Sequence, residues 1–301
     1  MARRKKKRMK IDFHVHLTPP DIAANWKKYA EKEPYFSLLS RGKVNKFAGA
    51  QDVVSMLDKE GFDRAVVFGF AFSDAGLCRY VNDYVIESVK KSRGRLTGFA
   101  VVSPRSLSGG KNAAAEIERC HDAGLKGVGE LYPLPSAGFL RQRHGIDLED
   151  KKQTQAITGV CKERGIPLML HAGEPVGHSY PGKSSAALRQ LESFISDNSG
   201  VKIVLAHWGG GIFLYETMKE IKEAFRDVYY DISATPFLYD ERIFQAAKAL
   251  GLCGKILFGS DFPILPPSRY LAAIEKCGFT ESDKELLFGG NAERAADFSI
   301  K

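Results

Sequence analysis

Cysteine is sparse in this 301-residue chain, and long apolar stretches are missing altogether. The five cysteines (Cys78, Cys120, Cys161, Cys253 and Cys277) are odd in number and widely spaced, with no C-x-x-C pair. That excludes a disulfide framework and a zinc-thiolate site, and leaves them as small buried apolar side chains. No apolar run approaches the roughly 18 residues of a membrane span. The segment IDFHVHL carries two histidines and an aspartate where a secretory signal needs an unbroken apolar stretch of about 7 to 15 residues. A soluble, cytoplasmic protein is the expectation.

Acidic residues are absent from residues 1–10, which hold Arg3, Arg4, Lys5, Lys6, Lys7, Arg8 and Lys10. The formal net charge is +8, but these seven account for most of it: of 44 basic residues, 37 remain against 36 acidic ones. The body is therefore nearly neutral and lacks the basic surface that carries nucleic-acid affinity. The basic segment reads as a solvated tail, and residues 11–301 as one domain. The expected partner is a small-molecule substrate, not a membrane or a nucleic acid; the sequence leaves a homo-oligomer open.

What the chain does contain is alternation. Eight β-rich runs occur, near 10–16, 64–71, 95–102, 125–131, 166–171, 201–207, 228–233 and 255–261. Helical patterns such as TQAITGVCKERG lie between them and end near a glycine that can cap a helix. Eight β/α units in a chain of this length predict an α/β fold, the closed (β/α)₈ TIM barrel. The stretch 17–49 is too long for an ordinary connection and is rich in aromatics, which suggests a functional lid.

The residues that bind metals or protons cluster at the ends of these runs. His14 and His16 are two apart in an extended segment, so both imidazoles face the same side. Glu130, His171, His207 and Asp261 end four other runs. In a barrel these ends converge on one bowl, where active sites of the fold lie. A nitrogen and oxygen donor set without thiolate suits zinc, manganese, iron or cobalt. Asp261 can hold the ion and accept a proton, and His207 can polarise a substrate oxygen.

Residues Gly177 to Ser184 spell G-x-x-x-x-G-K-S, the letters of a phosphate-binding loop. A working loop of that kind starts directly after its strand, whereas here residues 171–176, with Pro175, intervene, and Pro181 removes an N–H donor. The segment is better read as a loop carrying Glu174, His178, Tyr180 and Lys183 over the bowl, with Lys183 available for a substrate carboxylate. His121 reads as a helix-end cap. His144, between Arg141 and Arg143, reads as part of a solvated loop. Asp231 can bind metal or substrate, or orient a ligand histidine. The glycines of HWGGGIF can present N–H groups to an anion or allow close packing.

The segments DFHVH, LMLHAGEP, IVLAHWGGG, ILFGSDFPI and LLFGGNAERAADF resemble the amidohydrolase superfamily, in its branch related to aminocarboxymuconate-semialdehyde decarboxylase. The similarity spans residues 11–298. It implies that His14, His16, His171 and Asp261 hold a catalytic divalent ion, zinc before manganese, iron or cobalt, with His207 a ligand or substrate-polarising group. Two-metal relatives carry a bridging carbamate or glutamate on strand four. A bridging Glu130 would put His14, His16 and Asp261 on one ion and His171 and His207 on another; otherwise Glu130 orients a ligand or contacts substrate. The expected activity is metal-dependent hydrolysis of a small, carboxylated ester, lactone or amide by activated water. Non-oxidative decarboxylation or hydration of a small unsaturated or aromatic acid is the alternative, and a metal-dependent nuclease ranks below both.

Overall fold

Helices that cover the outside of a parallel ring leave its strands buried on both faces, and the eight β-rich runs behave accordingly. The computed structural model describes residues 8–40, 42, 46–103, 111–134, 145–180, 183 and 188–299, with Pro34, Leu38 and Lys111 described by backbone alone. Its strands are β1 (Ile11–His16), β2 (Arg64–Phe68), β3 (Leu96–Gly98), β4 (Val128–Leu131), β5 (Leu168–Leu170), β6 (Ile203–Leu205), β7 (Val228–Asp231) and β8 (Ile256–Leu257). Strands β1 to β3 pair in parallel, as do β4 to β8. Parallel bridges Ala100–Val128 and Val15–Phe262 join the two sheets. The bonds Gly129 N to Ala100 O (2.8 Å) and Phe13 N to Phe258 O (2.7 Å) reinforce those seams. The result is the expected (β/α)₈ barrel.

The helices are α1 (Pro20–Ala24), α2 (Trp26–Lys32), α3 (Pro34–Ser40), α4 (Ala50–Glu60), α5 (Ala75–Lys91), α6 (Lys111–Asp122), α7 (Lys151–Arg164), α8 (Leu188–Asp197), α9 (Lys219–Ala224), α10 (Thr235–Leu238), α11 (Ile243–Ala249), α12 (Ser268–Lys276), α13 (Glu281–Glu285) and α14 (Asn291–Ala295). Helix α7 shows the local logic. The Asp150 carboxylate accepts from the N–H groups of Lys152 and Gln153, both at 3.1 Å, a cap worth about 1 kcal/mol. Thr154, Ile157, Thr158 and Cys161 recur on one buried stripe, and Gly165, at φ +64°, ends the helix in the left-handed conformation. All five cysteines are free thiols, and four of them are buried. No helix among the described residues is long and apolar enough to cross a membrane. Residues 141, 143 and 144 of the RQRHG segment lie outside the described residues.

The long β1–β2 connection contains α1, α2 and α3, pinned to the barrel at two points. Asp21 accepts from the hydroxyls of Tyr80 (2.7 Å) and Tyr29 (3.1 Å). Glu33, 4% exposed, accepts from the Ser73 N–H (2.8 Å), the Ser73 hydroxyl (2.6 Å) and the Asp74 N–H (3.1 Å). Phe36 packs on Phe72 and Phe70, with ring centroids 5.1 and 5.2 Å away. This roof carries its own core.

A buried polar network ties α5 and α6 to the loop after β3. Asn82 gives its Nδ2 to Val101 O (2.9 Å) and Glu116 Oε1 (2.9 Å), while its Oδ1 accepts from Val101 N (2.8 Å). Glu116 also accepts from Arg119 Nε (2.8 Å) and Nη2 (2.7 Å). Burial would raise the Glu116 carboxyl, but Arg119 and Asn82 outweigh it and hold it below its ordinary 4.5. Stability from a depressed carboxyl is complete above its unfolded value and is lost as pH falls through the folded one. Glu116→Gln should cost about 1.5 to 3 kcal/mol at neutral pH in urea unfolding, by loss of charge-assisted bonds. The gap to the wild type should shrink as pH drops below 4.5; a gap that stays constant would refute the assignment.

Candidate metal centre

Six strand ends deliver one cluster of imidazoles and carboxylates. His14 and His16 leave β1 on one face, with Nε2 atoms 3.3 Å apart. Asp261 follows β8; its N–H donates to His14 O at 3.0 Å, and its Oδ1 lies 3.2 Å from His16 Nε2 and 3.6 Å from His14 Nε2. Glu130, on β4, brings Oε2 to 3.8 Å from both Nε2 atoms. Donors held about 2.0 to 2.2 Å from one tetrahedral ion lie about 3.3 to 3.6 Å from one another; His14, His16 and Asp261 meet or come within about 0.1 Å of that spacing, and Glu130 stands slightly wider.

The other oxygen of Glu130 faces a second set. Oε1 lies 2.9 Å from His171 Nδ1 and 3.6 Å from His207 Nε2. The clusters His14–His16–Glu130 and Glu130–His171–His207 therefore share one carboxylate.

His207 stands on an unusual turn. His207 (φ +55°), Trp208 (+60°), Gly209 (+63°), Gly210 (+61°) and Gly211 (+92°) are all left-handed. Asp261 shares this feature at φ +64°. Such backbone costs roughly 1 to 2 kcal/mol per non-glycine residue and persists where surrounding contacts over-determine it. A Cβ on Gly210 would lie 2.3 Å from Gly173 O. The glycines of HWGGG thus serve the turn and a close approach to the β5 loop. Trp208, fully buried, donates Nε1–H to Thr235 Oγ1 at 2.8 Å and locks the turn.

Asp231 braces the ligands from behind. Its Oδ2 is 2.9 Å from His14 Nδ1, and its Oδ1 accepts from the N–H groups of His207 (3.1 Å) and Ser233 (3.0 Å) and from the Ser233 hydroxyl. Of the roles open to Asp231, the geometry supports orienting a histidine. Ser233 Oγ lies 2.8 Å from His207 Nδ1, which turns Nε2 toward Glu130.

The electrostatics favour cations. Burial would lower the His14 imidazolium, but Asp231, then Glu130 and Asp261, overrule it and hold it up at about 10. Burial likewise opposes His207, which Glu130 and Asp261 raise to about 9. Burial would raise Glu130, yet His171 and His14 pull it well below the usual carboxylate range. Asp231 and Asp261 are also lowered, against burial, chiefly by His14 and His16. Among the described residues no lysine or arginine pairs with Glu130, Asp231 or Asp261. Three buried carboxylates without a fixed cation are the environment a divalent ion satisfies.

Comparison with known proteins fits this geometry. The amidohydrolase family profile matches residues 11–298. The chain belongs to the amidohydrolase family. No curated protein matches the chain. Solved structures share the fold at low identity. 5-Carboxyvanillate decarboxylase LigW from Sphingomonas paucimobilis superposes with TM-score 0.74 at 16% identity, covering 96% of this chain and 99% of that one. Dihydroxybenzoic acid decarboxylase from Polaromonas sp. JS666, with bound manganese and 2-nitroresorcinol, gives 0.72 at 18%, covering 96% and 97%. A probable 2-pyrone-4,6-dicarboxylic acid hydrolase from Acinetobacter baumannii gives 0.63 at 15%, covering 97% and 99%.

In this amidohydrolase, His16, Glu130, His171, His207 and Asp261 line a cavity of about 390 Å³, with His14 fully buried behind them. His178 and Tyr180 line it too. Glu174 and Lys183 are not among the lining residues: Glu174 accepts from the Tyr180 hydroxyl at 2.6 Å. Lys183, expected to meet a substrate carboxylate, is engaged elsewhere in this structure. Its ammonium donates to the carbonyls of Val176 (2.6 Å), Gly177 (3.1 Å) and His178 (3.0 Å), stitching the loop to itself. Tyr132, with its ring 5.1 Å from His171, was missed, although strand alternation puts it on the face of Glu130 two residues earlier.

Removing a partner that orients a ligand histidine typically costs 10- to 100-fold in ion affinity. Asp231→Asn should weaken Zn²⁺ or Mn²⁺ binding by about that factor in competition with a chromophoric chelator, and His14→Ala should remove stoichiometric ion. Unchanged affinity in both variants would refute the site.

Proposed function

We propose that this amidohydrolase is a metal-dependent hydrolase of a small ester, lactone or amide that carries a carboxylate, built as a single domain over residues 11–301. The observation that carries the reading is Glu130, whose two oxygens face separate imidazole sets. His14, His16 and Asp261 would hold one ion and His171 and His207 a second, with Glu130 spanning them. A divalent ion there, zinc before manganese, iron or cobalt, supplies Lewis acidity toward a carbonyl oxygen and lowers the pKa of water toward about 7.

The chain's own groups do the rest. Asp261 is ionised and lines the cavity, so it can take the proton of the attacking water and return it to the leaving group. Where His207 does not hold an ion, its Nε2, turned inward by Ser233, can instead donate as an imidazolium to the substrate carbonyl oxygen as negative charge develops. Phe36, Phe47, Phe70, Tyr132 and Phe237 wall the cavity and favour a flat apolar body.

Those aromatic walls also favour a second reading, non-oxidative decarboxylation of an aromatic acid. Five of the similar structures are decarboxylases, two of 5-carboxyvanillate and three of dihydroxybenzoic acids. The two readings part at the product. The ion-loaded protein should be incubated in H₂¹⁸O with a panel of aryl esters and lactones, and with 5-carboxyvanillate and 2,6-dihydroxybenzoate. Solvent ¹⁸O in a carboxylic acid product is the expected result. Carbon dioxide release without water incorporation would overturn hydrolysis in favour of decarboxylation.

A further inference from the structure

The cavity has two poles. Among the described residues its carboxylates are Glu130 and Asp261, at the floor, and its middle is apolar. Apart from the histidines of the metal centre, His16, His171 and His207, the described lining side chains that can carry positive charge are Lys46 and His178, both exposed on the solvent side of the cavity. Among the described residues Lys46 forms no ion pair. Ser40, the last residue of α3, also lines the cavity; it is 7% exposed, and among the described residues its hydroxyl oxygen has no hydrogen-bond partner. A buried hydroxyl without a partner is a costly arrangement that a ligand atom can relieve.

The roof fixes both residues. Glu33 anchors α2 and α3 to the loop after β2 through three donors. Phe47, next to Lys46, packs on Phe36 (6.0 Å) and Trp26 (6.5 Å). Ala48 O accepts from Thr18 N at 2.8 Å, which fixes the returning chain beside β1. Lys183, the basic residue that sequence points to, is occupied by three carbonyls of its own loop.

We propose that Ser40 and Lys46 form a carboxylate-binding subsite at the mouth, opposite the metal centre, so that the cavity selects a bifunctional molecule: one polar group toward the ions, an apolar ring between, and a carboxylate on the roof. The proposal rests on the reading of the cavity as a metal-dependent small-molecule site, and adds which residues select the substrate's far end. The serine hydroxyl donates to one carboxylate oxygen, and the lysine ammonium supplies charge and donors to the other.

The test uses the full chain loaded with Zn²⁺ or Mn²⁺ and titrated calorimetrically with benzoate, isophthalate and terephthalate. At least one dicarboxylate should bind about 10-fold tighter than benzoate, the scale of one charge-assisted hydrogen bond. Lys46→Met should reduce that ratio to within about 2-fold of unity, Ser40→Ala should reduce it in part, and Lys46→Arg should preserve it. Lys183→Met should leave it unchanged. Neither dicarboxylate exceeding benzoate, or a ratio that survives Lys46→Met, overturns the subsite. Binding of all three acids that is indifferent to stripping the ion with a chelator counts instead against the metal-centre reading.

Discussion

Three ionised carboxylates lie almost wholly buried at one end of the ring: Glu130, Asp231 and Asp261, between 0 and 6% exposed. A buried charge is costly unless it is paired and hydrogen-bonded. Much of the surrounding architecture meets that constraint. Asp231 receives two backbone N–H groups and the Ser233 hydroxyl while bracing His14. His207 and Asp261, two residues of the cluster, adopt left-handed backbone. The negative potential that remains is what draws positive charge onto the imidazoles, and it suits a divalent ion.

The fold was largely legible in the sequence because it rests on periodicity. Strand runs and capped helices are local signals, and all eight runs became strands. The cluster was legible for a related reason: in a barrel, the end of a strand is a place in space as well as in sequence. Asp231 could not be assigned to one role from sequence, since a carboxylate beside a histidine pair can ligate or orient. Three-dimensional distances decide between those roles.

Long flexible side chains on loops were the poorest guides. Lys183 sits in a segment whose letters imitate a phosphate loop, and sequence alone offers its ammonium to a ligand. Loop carbonyls left without helix or sheet partners competed for it and won. The roof is the converse case. Residues 17–49 read in sequence as a functional lid, and Glu33 and Asp21 fasten three short helices of that stretch to the barrel. The barrel-side partners of those carboxylates, Tyr80, Ser73 and Asp74, lie 40 to 59 residues away, where no local pattern reaches. The two proposed activities, hydrolysis and decarboxylation, would draw on the same floor of the cavity. What distinguishes substrates must therefore come from its walls and mouth.

The seam between the first and last strands has a consequence for how the protein comes into being. His14 and Asp231 are separated by 217 positions, and Asp261 lies further on still. Contacts of such sequence separation form late and slowly, because loop closure precedes them. During synthesis the nascent chain exposes both β1 histidines long before their carboxylate partners emerge from the ribosome. An ion that bound the complete cluster would therefore act as a clasp on the finished ring, favouring the closed chain over every partly folded one by its own affinity. Metal occupancy would report completion of the barrel as directly as it reports readiness for chemistry.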